Sequence, residues 1–412
     1  PQAPRFRQLL GPSFILLGLG LGSGEIILWP YLTSNFGMGI IWGAVLGITL
    51  QFFINMEIER YSLVRGESIF VGFARKLKWA PYWFIFSTFA GFAWPGIVAA
   101  SAKLVGEAMG FSEMHLIAIA MLILMGVVLT LGPVLYKTME RFSMILIGLG
   151  VPAIFFLTLY LAGSIDWAAL FKGMIGIGEG YKFLPAKIPI ASFLAAFEEI
   201  KLEGARFEMT KNNLEKFKNW WRLVNWEHLI VFWGAGVFSI CLLALLAYVS
   251  AYGVTTPGAG IDFVVFEAQS IGASIAPIFG TFFLVVGGLM LFSTQMTVMD
   301  ATSRIMSENL LIIKRDNWQP KSLPKIYYSF LWAQILVGII IFMTDLKEPL
   351  FLLTLGAVIN AGAMFVHIGL TTFLNLTTLE KEVYPSALRI IVMVLAFAFF
   401  GYLTARTVIS IL

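Results

Sequence analysis

The chain has 412 residues, 59% of them hydrophobic and only 13% charged, with a formal net charge of +4 and a mean hydropathy of +0.86. Soluble domains carry about 25% charged residues, so the composition excludes a soluble globular protein and points to an integral membrane protein in contact with a lipid bilayer. The basic excess is spread over many connections rather than gathered on one face, which excludes a nucleic-acid partner.

The sequence opens on Pro1 rather than Met, and Arg5 and Arg7 precede the first apolar run without a signal-peptide pattern, so the native N-terminus is expected to lie further upstream. Apolar sequence runs from about Leu9 to Leu32, long enough to cross a bilayer as a helix at roughly 20 residues. Its middle reads Gly18-Leu19-Gly20-Leu21-Gly22-Ser23-Gly24-Glu25. Each glycine weakens a helix by about 1 kcal/mol relative to alanine, and a carboxylate at bilayer depth costs several kcal/mol unless paired or wet. The pattern predicts a broken helix, two halves joined by unwound backbone that faces a cavity. A glycine-rich packing face is the alternative, but it leaves Glu25 without a reason.

Further spans are expected at 38–56, 80–105, 114–134, 142–163, a short 187–197, 228–251, 274–311, 326–344, 348–376 and 386–411, eleven with the first at 9–33. The single Cys241 lies in an apolar run and reads as a small packing residue. Lys and Arg gather in alternate connections: Arg60–Lys78, Lys137 and Arg141, Lys201–Arg222, Lys314–Lys325, then Lys381 and Arg389. The loop 252–273 has none. The positive-inside rule then places the N-terminus in the cytoplasm and, for eleven spans, the C-terminus outside, in a multi-pass protein of the plasma membrane.

The alternation holds at every loop only if the sixth segment crosses the membrane. Yet Ile188–Phe197 is ten residues before Glu198 and Glu199, and ten helical residues rise about 15 Å against a core of about 30 Å. The expectation is that sequence is missing after Phe197, holding the second half of span six and part of a cytoplasmic loop. Residues 198–227, with Trp220, Trp221 and Trp226, read as a cytoplasmic loop or an amphipathic helix at the interface.

Leu9-Leu10-Gly11-Pro12 before a span broken at its centre, the polar loop Glu57–Lys78, Ala100-Ser101-Ala102-Lys103 at the end of span three and Ser293-Thr294-Gln295 in span eight resemble the Nramp family of divalent-metal transporters. The resemblance covers the whole chain in span order and length. It implies an all-α membrane protein of about eleven transmembrane helices. Its core would be a five-plus-five inverted repeat of the amino-acid/sodium symporter type, with helices 1 and 6 broken around a midplane site. One transporter domain would then fill 1–412, with repeat one at about 9–163, repeat two at about 187–376 and an extra helix at 386–411. The family's Asp-Pro-Gly-Asn at the first break stands here as Gly22-Ser23-Gly24-Glu25, so a carboxylate occupies the asparagine position. Its Met-Pro-His of span six is not found, and the span-three acids of its proton route appear as Trp94 and Ile97, with Pro95 between.

The substrate-binding candidates are therefore Gly22, Ser23, Gly24, Glu25, Gln295 and Asn360. Glu25 is the candidate metal ligand, with unwound carbonyls beside it suited to a hard cation; the competing reading is a cap on the second half-helix, whose positive end favours an anion. Asp300 and Arg304, four apart on span eight, are expected to form a structural or gating pair. His367 reads as a packing residue, and His115 and His228 as interfacial ones. No phosphate loop, nucleophile motif or resident cofactor is indicated, so no enzyme is expected; a divalent cation enters only as cargo, and nothing names a partner protein. Three functions stand. One is a secondary transporter moving a cation by alternating access, one is a transporter of a small organic solute on the same fold, and one is a membrane scaffold or complex subunit that has lost transport.

Overall fold

The computed structural model describes residues 22, 24–131, 150, 152–185, 210–253, 260–314, 323–344, 346 and 348–411. The first half of span one, the sixth segment at 187–197 and the expected missing sequence after Phe197 lie outside the described residues. Helices dominate because the chain must satisfy its backbone internally in lipid. A π-helical turn at Gly24–Leu28 leads into α1 (Trp29–Phe36), and a 3-10 turn at Met38–Ile40 leads into α2 (Trp42–Arg65). Then come α3 (Ile69–Lys76), α4 (Ala80–Phe92), α5 (Gly96–Met109), α6 (Met114–Thr130), α7 (Pro152–Leu161) and α8 (Ser164–Gly173). A two-strand hairpin, β1 (Ile177–Gly178) and β2 (Tyr181–Lys182), follows with Gly178 opposite Tyr181. The second half holds α9 (Lys211–His228), a π-helical turn at Leu229–Gly234, α10 (Ala235–Ala251) and α11 (Asp262–Ser274). It ends with α12 (Pro277–Ile313), α13 (Leu323–Phe342), α14 (Pro349–Thr378) and α15 (Ala387–Ile411).

Among the described residues seven helices are long and apolar enough to cross a membrane, and α7 with α8, bent by 116°, makes an eighth if taken as one span. Their burial sorts them. The apolar stretches of Met38–Arg65 and Lys211–Ala251 are 67% buried, whereas that of α13 is 33% and that of α15 is 22%. The first two are therefore central, and the last two turn Leu336, Ile340, Leu388, Ile391 and Leu395 outward, as a bilayer-facing surface requires.

Two expectations are revised. Over its described part the charged stretch before residue 228 is helical, and α9 continues through the π-helical turn into α10 as one rod from Lys211 to Ala251 rather than ending at 227. Its Trp221 packs against the core, and only Trp226 of the three tryptophans is exposed. Loop 252–273 likewise holds a helix of its own, α11.

Helices in lipid associate through close packing at small residues, and this bundle does so at backbone distance. A Cβ added to Gly96 would lie 2.4 Å from the Leu353 nitrogen on α14. One added to Gly39 would lie 2.1 Å from Gly178 Cα, which is how the hairpin seats on the 3-10 turn. Tyr181 then donates from its hydroxyl to the Phe36 carbonyl at 2.7 Å, closing the end of α1. Because the neighbour at Gly96 is backbone, Gly96→Leu is expected to destabilise by about 1–3 kcal/mol or more through overpacking. Gly362→Ala, whose Cβ would meet only Thr404 at 3.6 Å, should be neutral or stabilising. Thermal unfolding of the two variants in detergent checks the contrast.

Candidate functional site

The described part of span one begins at a bend on Gly22. From Gly24 the chain coils first as a π turn and then as α1, about 20 Å of helix to Phe36 at 1.5 Å per residue. That is about two thirds of a bilayer core of about 30 Å. The Gly22 N–H donates to Glu25 Oε2 at 2.8 Å, and the Ile26 N–H to the Gly22 carbonyl at 3.1 Å. Gly22 and Gly24 are buried and Glu25 is half-buried. Glu25 thus places an anion at the helix start, where free N–H groups make the local potential positive. Ser23 lies outside the described residues.

The turn that carries Glu25 packs on α10, and α1 packs along the same helix. Thr33 of α1 lies with its hydroxyl 3.1 Å from the Ala244 carbonyl, tying the two together inside the core. α10 itself opens on a second π turn, where Trp233 Nε1 donates to Thr49 Oγ1 of α2 at 2.9 Å. Such turns widen the helix and free backbone groups, and they recur at functional sites.

Gln295 and Asn360 stand on α12 and α14, both of which pack against α4. α4 and α5 form one span broken at Ala93–Pro95, since Pro95 has no N–H to continue the ladder. The Ala93 N–H still reaches the Phe89 carbonyl at 2.9 Å, and the Pro95 carbonyl accepts from Ala99 at 2.9 Å. A Cβ on Gly91, just before this break, would lie 3.5 Å from Asn360 Cβ. Asn360 is 6% exposed and Gln295 4%, yet Asn360 Nδ2 and Gln295 Oε1 have no hydrogen-bond partner among the described residues. Buried amide atoms are almost always partnered, so both residues hold hydrogen-bonding capacity that the fold itself does not use. Glu25 belongs to the α10 side of the bundle, and the two amides to the α4 side.

Asp300 accepts from Arg304 Nε at 3.0 Å and from the Tyr327 hydroxyl at 2.6 Å. Arg304 also leans over the Tyr327 ring at 5.5 Å. Tyr327, on the neighbouring α13, could not be found from helical spacing. Between Asp300 and Arg304 on α12, Thr302 donates to Gln334 Oε1 at 2.9 Å, and Gln334 Nε2 donates to Ser303 Oγ at 3.0 Å. His367 is buried, 3.4 Å from the Ser87 hydroxyl and tilted against Phe84. His115 is half-exposed beside Glu113. His228 is buried: it is 4% exposed, stacked on Phe232 at 4.8 Å and 3.5 Å from Asn55 Nδ2. Continuity of α9 with α10 is what carries it inside.

Sequence reasoning missed the strongest polar assembly, which joins four helices. Glu57 of α2 is 1% exposed. Its Oε2 accepts from Arg60 Nε at 2.9 Å and Asn375 Nδ2 at 3.2 Å, and its Oε1 from Arg389 Nη1 at 3.1 Å. Arg389 also donates to Asn225 Oδ1 of α9. The Trp221 ring lies under both guanidiniums, at 4.1 Å from Arg60 and 4.9 Å from Arg389. Counting Arg60 and Arg389 as loop charges concealed this. The visible signal was Glu57 three residues before Arg60, an i,i+3 pair within a run otherwise able to span.

No family model matches the sequence, and no curated protein matches it. Solved structures do. An Eremococcus coleocola manganese transporter in complex with an aromatic bis-isothiourea compound matches at TM-score 0.70 and 15% identity, covering 100% of this chain and 88% of that one. Mhp1, a nucleobase-cation-symport-1 family transporter with bromovinylhydantoin bound, matches at 0.60 and 12%, covering 99% and 95%. MhsT in complex with L-phenylalanine matches at 0.54 and 16%, covering 99% of each chain. The fold is shared with these three structures, a nearly all-helical membrane bundle of the LeuT type. The count of eleven helices involves segments outside the described residues.

Removing Glu57 leaves two buried guanidiniums without a carboxylate. Glu57→Ala is expected to destabilise by about 3–5 kcal/mol, the cost of an uncompensated buried charge, and Glu57→Gln by less, since it keeps an acceptor. Thermal unfolding, with hydrogen exchange of 211–228 as a local readout, measures both.

Proposed function

We propose that this chain is a secondary transporter that moves a cation by alternating access, with Glu25 at the break of span one as the charged group of its site. The observation that carries the reading is the Gly22 N–H to Glu25 Oε2 bond of 2.8 Å. The positive end of the half-helix is thereby already supplied with a carboxylate of the protein's own. A cargo that brings a second anion to this point meets like charge, whereas a cation meets an oxygen-bearing, half-buried carboxylate. A donor set of carboxylate and backbone carbonyl oxygens suits a hard cation. Gln295 and Asn360 supply neutral oxygens or amides from the facing side of the path, and Gly22, Ser23 and Gly24 supply backbone carbonyls.

The arrangement is read as repeat one at about 9–163, repeat two at about 187–376 and an extra helix at 386–411. The Lys- and Arg-rich loops and the N-terminus are read as cytoplasmic, in a plasma membrane, by the positive-inside rule. A second reading, transport of a small organic solute, is supported by the similar structures that hold bromovinylhydantoin and L-phenylalanine. A cationic amine would satisfy both readings at Glu25.

The test is calorimetric binding and proteoliposome uptake of Mn2+, Mg2+ and Ca2+ by the wild type and by Glu25→Gln. Glutamine can still accept from the Gly22 N–H, so the cap survives while the charge is lost. Saturable binding of at least one ion is expected, weakened about tenfold or more in the variant, which is ~1.4 kcal/mol. Equal binding by the two proteins would remove Glu25 from the site. Binding of none of the three ions would leave the organic-solute reading, or the scaffold, in its place.

A further inference from the structure

α11 is a short helix of 13 residues set between the spans α10 and α12, and it is not itself a candidate span. It joins its neighbours at non-helical joints. Gly253 and Gly260 before it have φ of +77° and +60°, and Ala276 after it is extended. It packs on α12, α10 and α5. Phe263 meets Tyr31 of α1 at 5.7 Å between ring centres, and Asp262 pairs with Lys103 of α5 at 3.1 Å. The helix therefore lies across one end of the bundle, touching both the continuation of the broken span and the second half of the broken α4–α5 span.

Its seat on α12 is a backbone contact. A Cβ on Gly280 would lie 2.2 Å from the Ala268 carbonyl, so α11 closes down to van der Waals limits there. The residue next to Ala268 is Glu267, which is 2% exposed. Glu267 Oε1 has no hydrogen-bond partner among the described residues. The ionisable groups of the surrounding elements are engaged elsewhere or remote. On α5, Lys103 is paired with Glu107 and Asp262. On α1 there is Tyr31, beside Glu348. On α10 and just after it, Tyr248 and Tyr252 turn to Glu179, and Cys241 is buried. On α12, Asp300, Arg304 and Glu308 start twenty residues beyond Gly280, about 30 Å along the helix. Burial alone, with no compensating charge, pushes the Glu267 carboxyl well above the usual carboxylate range.

A carboxylate taken out of water with even one oxygen left unbonded is costly to keep ionised. We propose that α11 is a proton-latched lid over this end of the bundle: it sits closed while Glu267 carries a proton and lifts when Glu267 ionises, exposing the carboxylate to water. The sign follows from linkage. In the lifted state the carboxyl titrates near its ordinary value of about 4.3, and in the closed state well above it. The closed state is therefore at full strength below that ordinary value. Above it, each pH unit lowers the closed-to-lifted ratio about tenfold until the closed-state value is passed. Acid holds the lid down, and alkali releases it.

Hydrogen–deuterium exchange of the full chain in lipid nanodiscs, read at 262–274 from pH 5.5 to 8.5 and corrected for intrinsic rates, tests this. In the wild type, protection is expected to fall with rising pH at up to about tenfold per unit. In Glu267→Gln the segment should stay protected with no such slope. Glu267→Met, apolar and of similar length, should likewise lose the slope, which covers the case in which the amide variant folds poorly. Asp262→Asn, which breaks the bond to Lys103, should lower protection at every pH and keep the slope. A flat wild-type profile, or an equal slope in Glu267→Gln and Glu267→Met, would overturn the proposal. No transported substrate enters the measurement, so its failure leaves the cation reading standing, and the reverse also holds.

Discussion

Backbone that leaves the helix inside a bilayer has no water to turn to, and this constraint organises the bundle. Two interruptions in the described structure show how it is met. At Gly22 the answer is the Glu25 carboxylate. At Ala93–Pro95 it is a proline with no N–H to lose, flanked by helical bonds to Phe89 and from Ala99. Between helices the same work falls to hydroxyls: Thr33 beside the Ala244 carbonyl, and Ser101 donating to the Gly288 carbonyl at 2.7 Å. Helices joined this way must approach closely, which is why glycines stand where backbones meet.

The buried charges divide by how they are compensated. Glu57 is surrounded by two guanidiniums and an amide and welds α2, α9, α14 and α15 at one end of the bundle. Glu267 is as deeply buried, and among the described residues its Oε1 has no hydrogen-bond partner. An ion pair of that quality resists rearrangement, whereas a lone carboxyl makes its surroundings depend on a proton. The two lie on opposite kinds of connection, the first beside loops rich in Lys and Arg, the second beside a loop that has none.

Much of the fold was legible in the amino-acid sequence, because lipid imposes a length and an apolarity that no other solvent does. The spans at 80–105, 274–311 and 348–376 agree with Ala80–Met109, Pro277–Ile313 and Pro349–Thr378 to within a few residues. The π-helical turn at Gly24–Leu28 falls where glycines and a carboxylate made plain helix costly. Helix continuity was not legible. Charges in 210–227 suggested an end at 227, but solvation at one end of a rod does not terminate it, and α9 runs into α10. α11 escaped notice because a 13-residue helix with Asp262 and Glu267 resembles a loop on any span criterion.

By itself the sequence determined that this is a multi-span membrane protein, and it set Glu25 after a glycine-rich run in the first apolar segment, since those follow from composition and residue order alone. Only the tertiary structure decided which charges are paired. Arg389 and Glu57 are 332 positions apart and meet at 3.1 Å, and Gln295 and Asn360 become notable only once their neighbours leave an amide atom unused. Glu267 reads in sequence as an ordinary loop acid; packing on Gly280 at backbone distance is what removes it from water. Residue type sets what a side chain can do, and burial, which no linear pattern contains, sets what it must do.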